Sequence, residues 1–235
     1  MAKNLEGLRV FITGGSGFIG SHLVKRCLLE GAKVAVLDLN THALWRLEDV
    51  KEQIAIFEGS ITEQEKLRQI IHEFRPQLVF HLAALLSRER SFAASDEVFN
   101  VHVNGTKLLV ESLLGSPQLS RFVHAGTAEE YGRGEVPFRE TQRELPVSPY
   151  SLTKLMATKM VEYAGREHGF PAVIVRPSLV YGPTQDFQMF VPSLIRSCLE
   201  KKDFDMTSGE QTRDFLFVAD LVEGILLAAR VPMGR

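Results

Sequence analysis

Short apolar runs and amphipathic stretches alternate along most of this chain. LRVFIT (8–13), KVAVLD (33–38), IAIFEG (54–59), QLVFHLA (77–83), RFVHAGT (121–127) and AVIVRP (172–177) are almost continuously apolar, as strands buried on both faces are. Between them, apolar residues recur at helical spacing over 18–30, 42–50, 63–74, 96–114 and 149–168. This order predicts an α/β fold: a parallel, doubly wound sheet with right-handed crossovers. After Gly182 the pattern changes to a helix over 191–201, a polar turn at TSGEQ and a last helix over 219–229. The change divides the chain into a main domain, 1–180, and a small lobe, 181–235, that ends in a returning helix.

The 235 residues, 45% of them hydrophobic, suffice for a large core without covalent staples. Cys27 and Cys198 have no neighbours at metal or redox spacing and read as reduced thiols. The N-terminal MAKNLEGLRV lacks the apolar stretch of a signal peptide, and no segment reaches the roughly 18 apolar residues of a membrane helix. A cytoplasmic protein is expected. A net charge of −2 without a basic block gives no electrostatic case for nucleic acid or a membrane surface, and no metal-ligand set stands out.

Directly behind the first strand comes GGSGFIG, with Gly14, Gly17 and Gly20 evenly spaced. In a strand–turn–helix, such glycines make the tight turn, admit a pyrophosphate to the backbone and let helix pack on sheet. The helix N-terminus then offers free N–H groups to the phosphates. A turn that merely packs helix on sheet would also use glycines, so the second signal matters. Asp38 ends the second strand, about 20 residues on, where its carboxylate can hold both hydroxyls of an adenosine ribose. A 2′-phosphate would meet a like charge there, and Leu39 and Asn40 supply no cation, so NAD is expected over NADP.

YSLTK places Tyr150 and Lys154 one turn apart on one helix face. A lysine cation favours phenolate, so Tyr150 is expected to have a lowered pKa and to take a proton from a substrate hydroxyl as hydride leaves the same carbon. Lys154 is also placed to hold the nicotinamide ribose. Thr127, at the end of the fifth strand, can hydrogen-bond the same oxygen, and Glu129 is a candidate acid or base for a second proton transfer, or else a solvated loop carboxylate.

Together these residues resemble the extended short-chain dehydrogenase/reductases, the NAD-dependent epimerase/dehydratase group acting on nucleotide sugars. The matches run in order through GGSGFIG, VLD at Asp38, HLAA (81–84), VNGT (103–106), GTAEEYG, SPYSLTK, RPSLVYGP (176–183) and GEQTRDFLFVADL (209–221). The resemblance implies that Gly14, Gly17, Phe18, Ile19 and Gly20 cradle the pyrophosphate and that Ser60 and Ile61 flank adenine. It implies that Leu82, Ala83, Ala84 and Pro177 line the cofactor, and that Thr127, Tyr150 and Lys154 form the catalytic set. Leu179 and Arg213 then face the nucleotide-sugar phosphates, Arg213 through its guanidinium fork. Three positions depart from the pattern: Ser60 replaces an aspartate, His102 the asparagine of NVxGT, and Leu179 an asparagine that contacts the sugar nucleotide. Relatives run to 300 residues or more, so part of the substrate lobe is expected to be missing, in a truncated or naturally short chain. A homodimer through helices 96–114 and 149–168 is also implied, with Val98, Val101, Leu108 and Leu109 either at that interface or in the core.

Family members open by oxidising the C4 hydroxyl of a hexose. Epimerisation and dehydration are the implied outcomes, with decarboxylation, 4-keto reduction or a non-catalytic dinucleotide sensor as alternatives. Thr127-Ala128-Glu129 leaves these open.

Overall fold

In the computed structural model, which describes residues 5–39, 41–87 and 89–232, the first six strands form one parallel sheet. They are β1 (Arg9–Thr13), β2 (Lys33–Asp38), β3 (Ile54–Glu58), β4 (Leu78–His81), β5 (Arg121–Ala125) and β6 (Ala172–Val175). Their spatial order is β3-β2-β1-β4-β5-β6. Val10 pairs with Val34 on one side and Leu78 on the other, and Phe122 with Ala172. The winding direction reverses between β1 and β4, which opens a crevice at the carboxyl edge of those strands.

Side chains alternate between two cores. Val10, Ile12, Val36 and Phe80 pack against α1 (Phe18–Leu29) and the last helix, α7 (Val218–Arg230), through Leu23, Val24, Ile225 and Leu226. Phe11, Leu37, Val79 and Phe122 pack on the other face against α2 (Gln64–Phe74), α4 (Thr106–Leu113) and α5 (Pro149–His168). Fully buried side chains of this size each contribute about 1.5–3 kcal/mol, which explains why strands apolar on both faces were legible; β3, at the sheet edge, departs from the expectation, with none of its residues buried. The returning helix α7 is thus part of the main core.

Three stretches differ from the sequence reading. The helix expected over 42–50 is a 3₁₀ segment, Thr41–Leu47. Leu44 and Leu47, three apart, both turn inward, and three residues per turn suits that spacing better than 3.6. The helix expected over 96–114 is three pieces: α3 (Ser95–Phe99), a π-helical turn (Asn100–Gly105) and α4. Gly105 lies against Ile61, whose Cδ1 stands 2.5 Å from where a Cβ would be. The lobe contains two unforeseen strands, β7 (Leu179–Tyr181) and β8 (Phe215–Phe217), paired in parallel around α6 (Phe190–Glu200), none of whose residues is buried.

Leu109 belongs to the core, Val101 and Leu108 pack against it, and Val98 is buried outside that cluster. The apolar spacing of Val101, Leu108 and Leu109 is therefore explained by packing on the sheet. Among the described residues no helix is long and apolar enough to cross a membrane.

Candidate active site

The glycine loop links β1 to α1 at the crevice. Gly14 has φ +72°, and a Cβ there would stand 2.8 Å from the Ala83 nitrogen. A Cβ on Gly20 would run into the Gly14 carbonyl oxygen and stand 2.8 Å from Gly15 Cα. Gly17 is different: it is the N-cap of α1, and within 4 Å a Cβ would meet only the Gly14 oxygen, at 3.1 Å. No side chain caps α1 and no acidic residue occupies its first turn, which holds Phe18, Ile19 and Gly20. The first amides of a helix have no partner within it, so this end presents donors and a partial positive charge to the crevice.

Asp38 stands beside this loop at the end of β2. Its Oδ2 accepts from the Ser16 amide (3.1 Å) and hydroxyl (2.6 Å), and its Oδ1 from the Leu39 amide (2.9 Å). Leu39 is exposed, and Asn40 lies outside the described residues. The Ser60 amide donates to Glu63 Oε1 and its hydroxyl bonds Thr62, while the Ile61 side chain is buried in the core. Beyond β4, Leu82 N donates to the Thr13 carbonyl (3.1 Å) and Ala83 N approaches the Thr13 hydroxyl (3.3 Å), with Ala84 exposed.

At the next strand end, Thr127 caps the 3₁₀ turn Ala128–Glu130, and its Oγ1 accepts from the Glu129 amide at 3.2 Å. Ala128 N donates to the Pro177 carbonyl, tying this turn to the end of β6. The Ser148 capping box and Pro149 start α5, which carries Tyr150 in its first turn and Lys154 in its second. The Lys154 ammonium is 4% exposed and donates to the Ala125 carbonyl at 2.5 Å. Burial pulls its pKa down to about 8, against a smaller upward pull from Glu130.

Tyr150 departs from the expected lowering. Burial raises the phenol pKa, and Glu129 and Glu130 raise it further. The phenol is buried, the ammonium is committed to a carbonyl and two carboxylates act on the ring, so this arrangement keeps the phenol protonated. Glu129 retains much exposed surface, yet its carboxyl lies deep enough for burial to raise its pKa, partly offset by Arg90.

Three residues that sequence reasoning gave no place in the site lie in it or beneath it. Glu130 is fully buried; it receives Arg176 Nε at 2.7 Å and the Thr127 amide at 3.0 Å. His102, noted only as a departure, stacks edge-on to Tyr150 with ring centroids 5.4 Å apart. Its Nδ1 is 2.8 Å from the Thr153 hydroxyl, which lies 2.8 Å from the Pro149 carbonyl. Nε2 lies 3.1 Å from both the amide and the carbonyl of Leu85; the tautomer with the proton on Nδ1, which the Thr153 donation to Pro149 favours, accepts from the amide. His81 bridges the Thr13 and Thr106 hydroxyls at 2.7 and 2.9 Å. Burial, then the Lys154 charge, lowers both histidines to about 3, so both are neutral. Thr106 follows the π-helical turn and sits four residues from His102, so one widened turn serves both imidazoles.

The substrate-side candidates lie together in the lobe. Leu179 N donates to the Asp214 carbonyl, next to Arg213, whose exposed guanidinium donates to the Thr212 carbonyl.

Known proteins match this arrangement. The sequence model of the NAD dependent epimerase/dehydratase family covers residues 10–234. The human dTDP-D-glucose 4,6-dehydratase is 31% identical over 227 residues, which span 93% of this chain and 64% of that protein's length. The UDP-glucose 4-epimerase of Thermotoga maritima, crystallised with UDP-glucose, superposes with a TM-score of 0.86 at 30% identity, covering 94% of this chain and 73% of its own. The dTDP-glucose 4,6-dehydratase of Bacillus anthracis, crystallised with NAD, gives 0.85 at 27% identity, covering 95% and 71%. Parallel sheet, glycine loop and tyrosine–lysine helix thus come together with a match along nearly the whole sequence, and the chain belongs to the NAD-dependent epimerase/dehydratase family of extended short-chain dehydrogenase/reductases.

Proposed function

We propose that this chain carries the catalytic apparatus of an NAD-dependent nucleotide-sugar epimerase or dehydratase that works through transient oxidation at C4 of the hexose. The observation that carries the reading is the meeting of Thr127, Tyr150 and Lys154 at the carboxyl edge of a sheet whose first helix opens with uncapped amides. The crevice fits NAD: Gly17 leaves room beside the donors of Phe18, Ile19 and Gly20, and Asp38 is anchored by Ser16 at the ribose position. NAD, when bound, supplies the hydride acceptor and donor and a positive charge near the phenol.

The remaining work falls to the chain. The α1 amides hold the diphosphate, and the Asp38 carboxylate accepts from the adenosine ribose. Leu82, Ala83, Ala84 and Pro177 wall the crevice. Lys154 holds the second ribose; Tyr150, as the phenolate that the positive charge of a bound nicotinamide would favour, takes the proton of the sugar hydroxyl, and the Thr127 hydroxyl donates to the same oxygen. Arg213, exposed beside Leu179, meets the substrate diphosphate. Glu129 favours dehydration over simple epimerisation, because a carboxyl with a raised pKa suits a group that both gives and takes a proton.

Calorimetric titration with NAD, followed by absorbance at 340 nm with UDP-, dTDP-, GDP- and CDP-sugars, tests the reading. Saturable binding and transient absorbance with at least one sugar are expected. No uptake of NAD by folded protein at millimolar concentration overturns it, and binding without reduction by any sugar leaves a dinucleotide sensor. A homodimer is proposed on Phe99, Leu152, Met156 and Tyr163, apolar or aromatic residues exposed on α3 and α5. Light scattering at the monomer mass at micromolar concentration would refute it.

A further inference from the structure

We propose that Glu130 is a positioning residue of this site: from full burial, its carboxylate fixes the Thr127 backbone against α5 and supplies the negative charge that holds the Lys154 ammonium on the Ala125 carbonyl. The three-residue stretch 125–127 carries the argument. Lys154 Nζ grips its first carbonyl, and Glu130 Oε1 grips its last amide at 3.0 Å. Between them, Gly126 has no side chain, and a Cβ there would run into Glu130 Oε1. The same oxygen accepts from Thr158 Oγ1 at 3.0 Å, and Thr158 lies one turn beyond Lys154 on α5. Lys154 directly, and Thr158 through the Glu130 carboxylate, thus clasp one strand end from the same face of α5.

Arg176 completes the clasp without cancelling it. Nε donates to Glu130 Oε2 at 2.7 Å, while Nη1 and Nη2 are drawn off to the Tyr131 hydroxyl (2.8 Å) and Glu144 (3.0 Å). The other groups around Lys154 are His81 on β4, His102 on the π-helical turn, His124 on β5 and Tyr150 on its own helix. Both ring nitrogens of His124 lack a protein partner, and burial holds its pKa well below the usual value. All three histidines are neutral and Tyr150 is protonated, which leaves Glu130 as the charge of opposite sign. The inference depends on the dehydrogenase reading only for the use to which Thr127 and Lys154 are put.

The test needs neither NAD nor a sugar, so a failure of the cofactor reading leaves it interpretable. The Lys154 midpoint is followed by lysine carbon-13 NMR, with the signal assigned through its loss in Lys154→Arg. The unmodified chain is expected to titrate near 8, and Glu130→Gln to lower the midpoint by about one pH unit. Glu130→Asp, which keeps the charge, and Thr158→Val, which removes a hydrogen bond from the same oxygen, are expected to stay within a few tenths of the unmodified value. Where Glu130→Gln alone does not fold, Glu130→Gln/Arg176→Gln, which removes the Arg176 charge left without its buried partner, is compared with Arg176→Gln, and the double variant is expected to titrate lower by about the same amount. An unchanged midpoint in a folded Gln variant overturns the proposal, and so does an equal fall in Thr158→Val. In the unmodified chain the Thr127 amide is expected to be protected from hydrogen exchange; exchange at the rate of an open loop overturns the proposal without any variant.

Discussion

At the scale of single residues, identity and environment made unequal contributions. The places of Gly14, Gly17 and Gly20 in the turn before α1 and of Asp38 at the end of β2 were legible, because sequence spacing reports backbone and strand-end position. The consequence for Gly20 is direct: Gly20→Ala forces a methyl against the Gly14 carbonyl, and a loss of about 3 kcal/mol is expected, read as a lower urea midpoint at unchanged slope. Tyr150→Phe is expected to abolish turnover, by 10³-fold or about that order, while NAD affinity by calorimetry stays within a few-fold. Unchanged turnover would remove the phenol from the chemistry. Asp38→Ala is expected to relax the preference for NAD over NADP, and equal discrimination before and after would reassign the ribose pocket. Glu130 was not legible, since nothing in GTAEEYG separates it from Glu129. Its partner Arg176 is 46 residues away and its burial is a product of the fold. The raised pKa of Tyr150 was invisible for the same reason, because the YxxxK spacing reports the lysine and neither the burial of the phenol nor the carboxylates across the turn.

Among the elements, the six sheet strands announced themselves through continuous apolar runs, and α5 through its Ser148 cap, Pro149 start and Gly169 stop in the left-handed region. β7 and β8 did not, because three residues are too few to show a period, and their pairing joins segments on either side of α6. The split of 96–114 was hidden as well: a widened turn keeps apolar residues on the inner face, so periodicity reads through it. What periodicity omits is the use made of that turn. His102 ties the loop after β4, through Leu85, to Thr153 and hence to the first turn of α5. His102→Asn keeps one donor and one acceptor on a shorter side chain. It is expected to leave the fold intact but to raise the KM for NAD more than it lowers kcat, since the loop it holds carries Leu82–Ala84. The opposite split would place its role in the chemistry.

For the molecule as a whole, the buried layer of neutral histidines sets an acid limit. His81 and His102 have folded pKa values of about 3 against about 6.5 in the unfolded chain, so between those values the unfolded state binds more protons. Their contribution is complete above about pH 6.5 and is lost as pH falls toward 3. At pH 5 the loss is about 2 kcal/mol for each, and His124, lowered well below its usual value, adds to it; the melting temperature is expected to fall between pH 7 and pH 5, with His102→Asn narrowing the gap by about a third. A melting temperature flat across that interval would show that neither imidazole stays neutral in the fold. The π-helical turn at Asn100–Gly105 has a consequence for permitted chain length. It carries one residue more than an α-helix needs to join its flanks. Removing exposed Asn104 would let the chain close into ordinary α geometry with Val98 and Leu109 still pointing inward. The same excision within Thr106–Leu113 would twist everything downstream by about 100°. Excision there would spare the fold's register while moving His102 relative to Leu85 and Thr153, the two segments its imidazole joins.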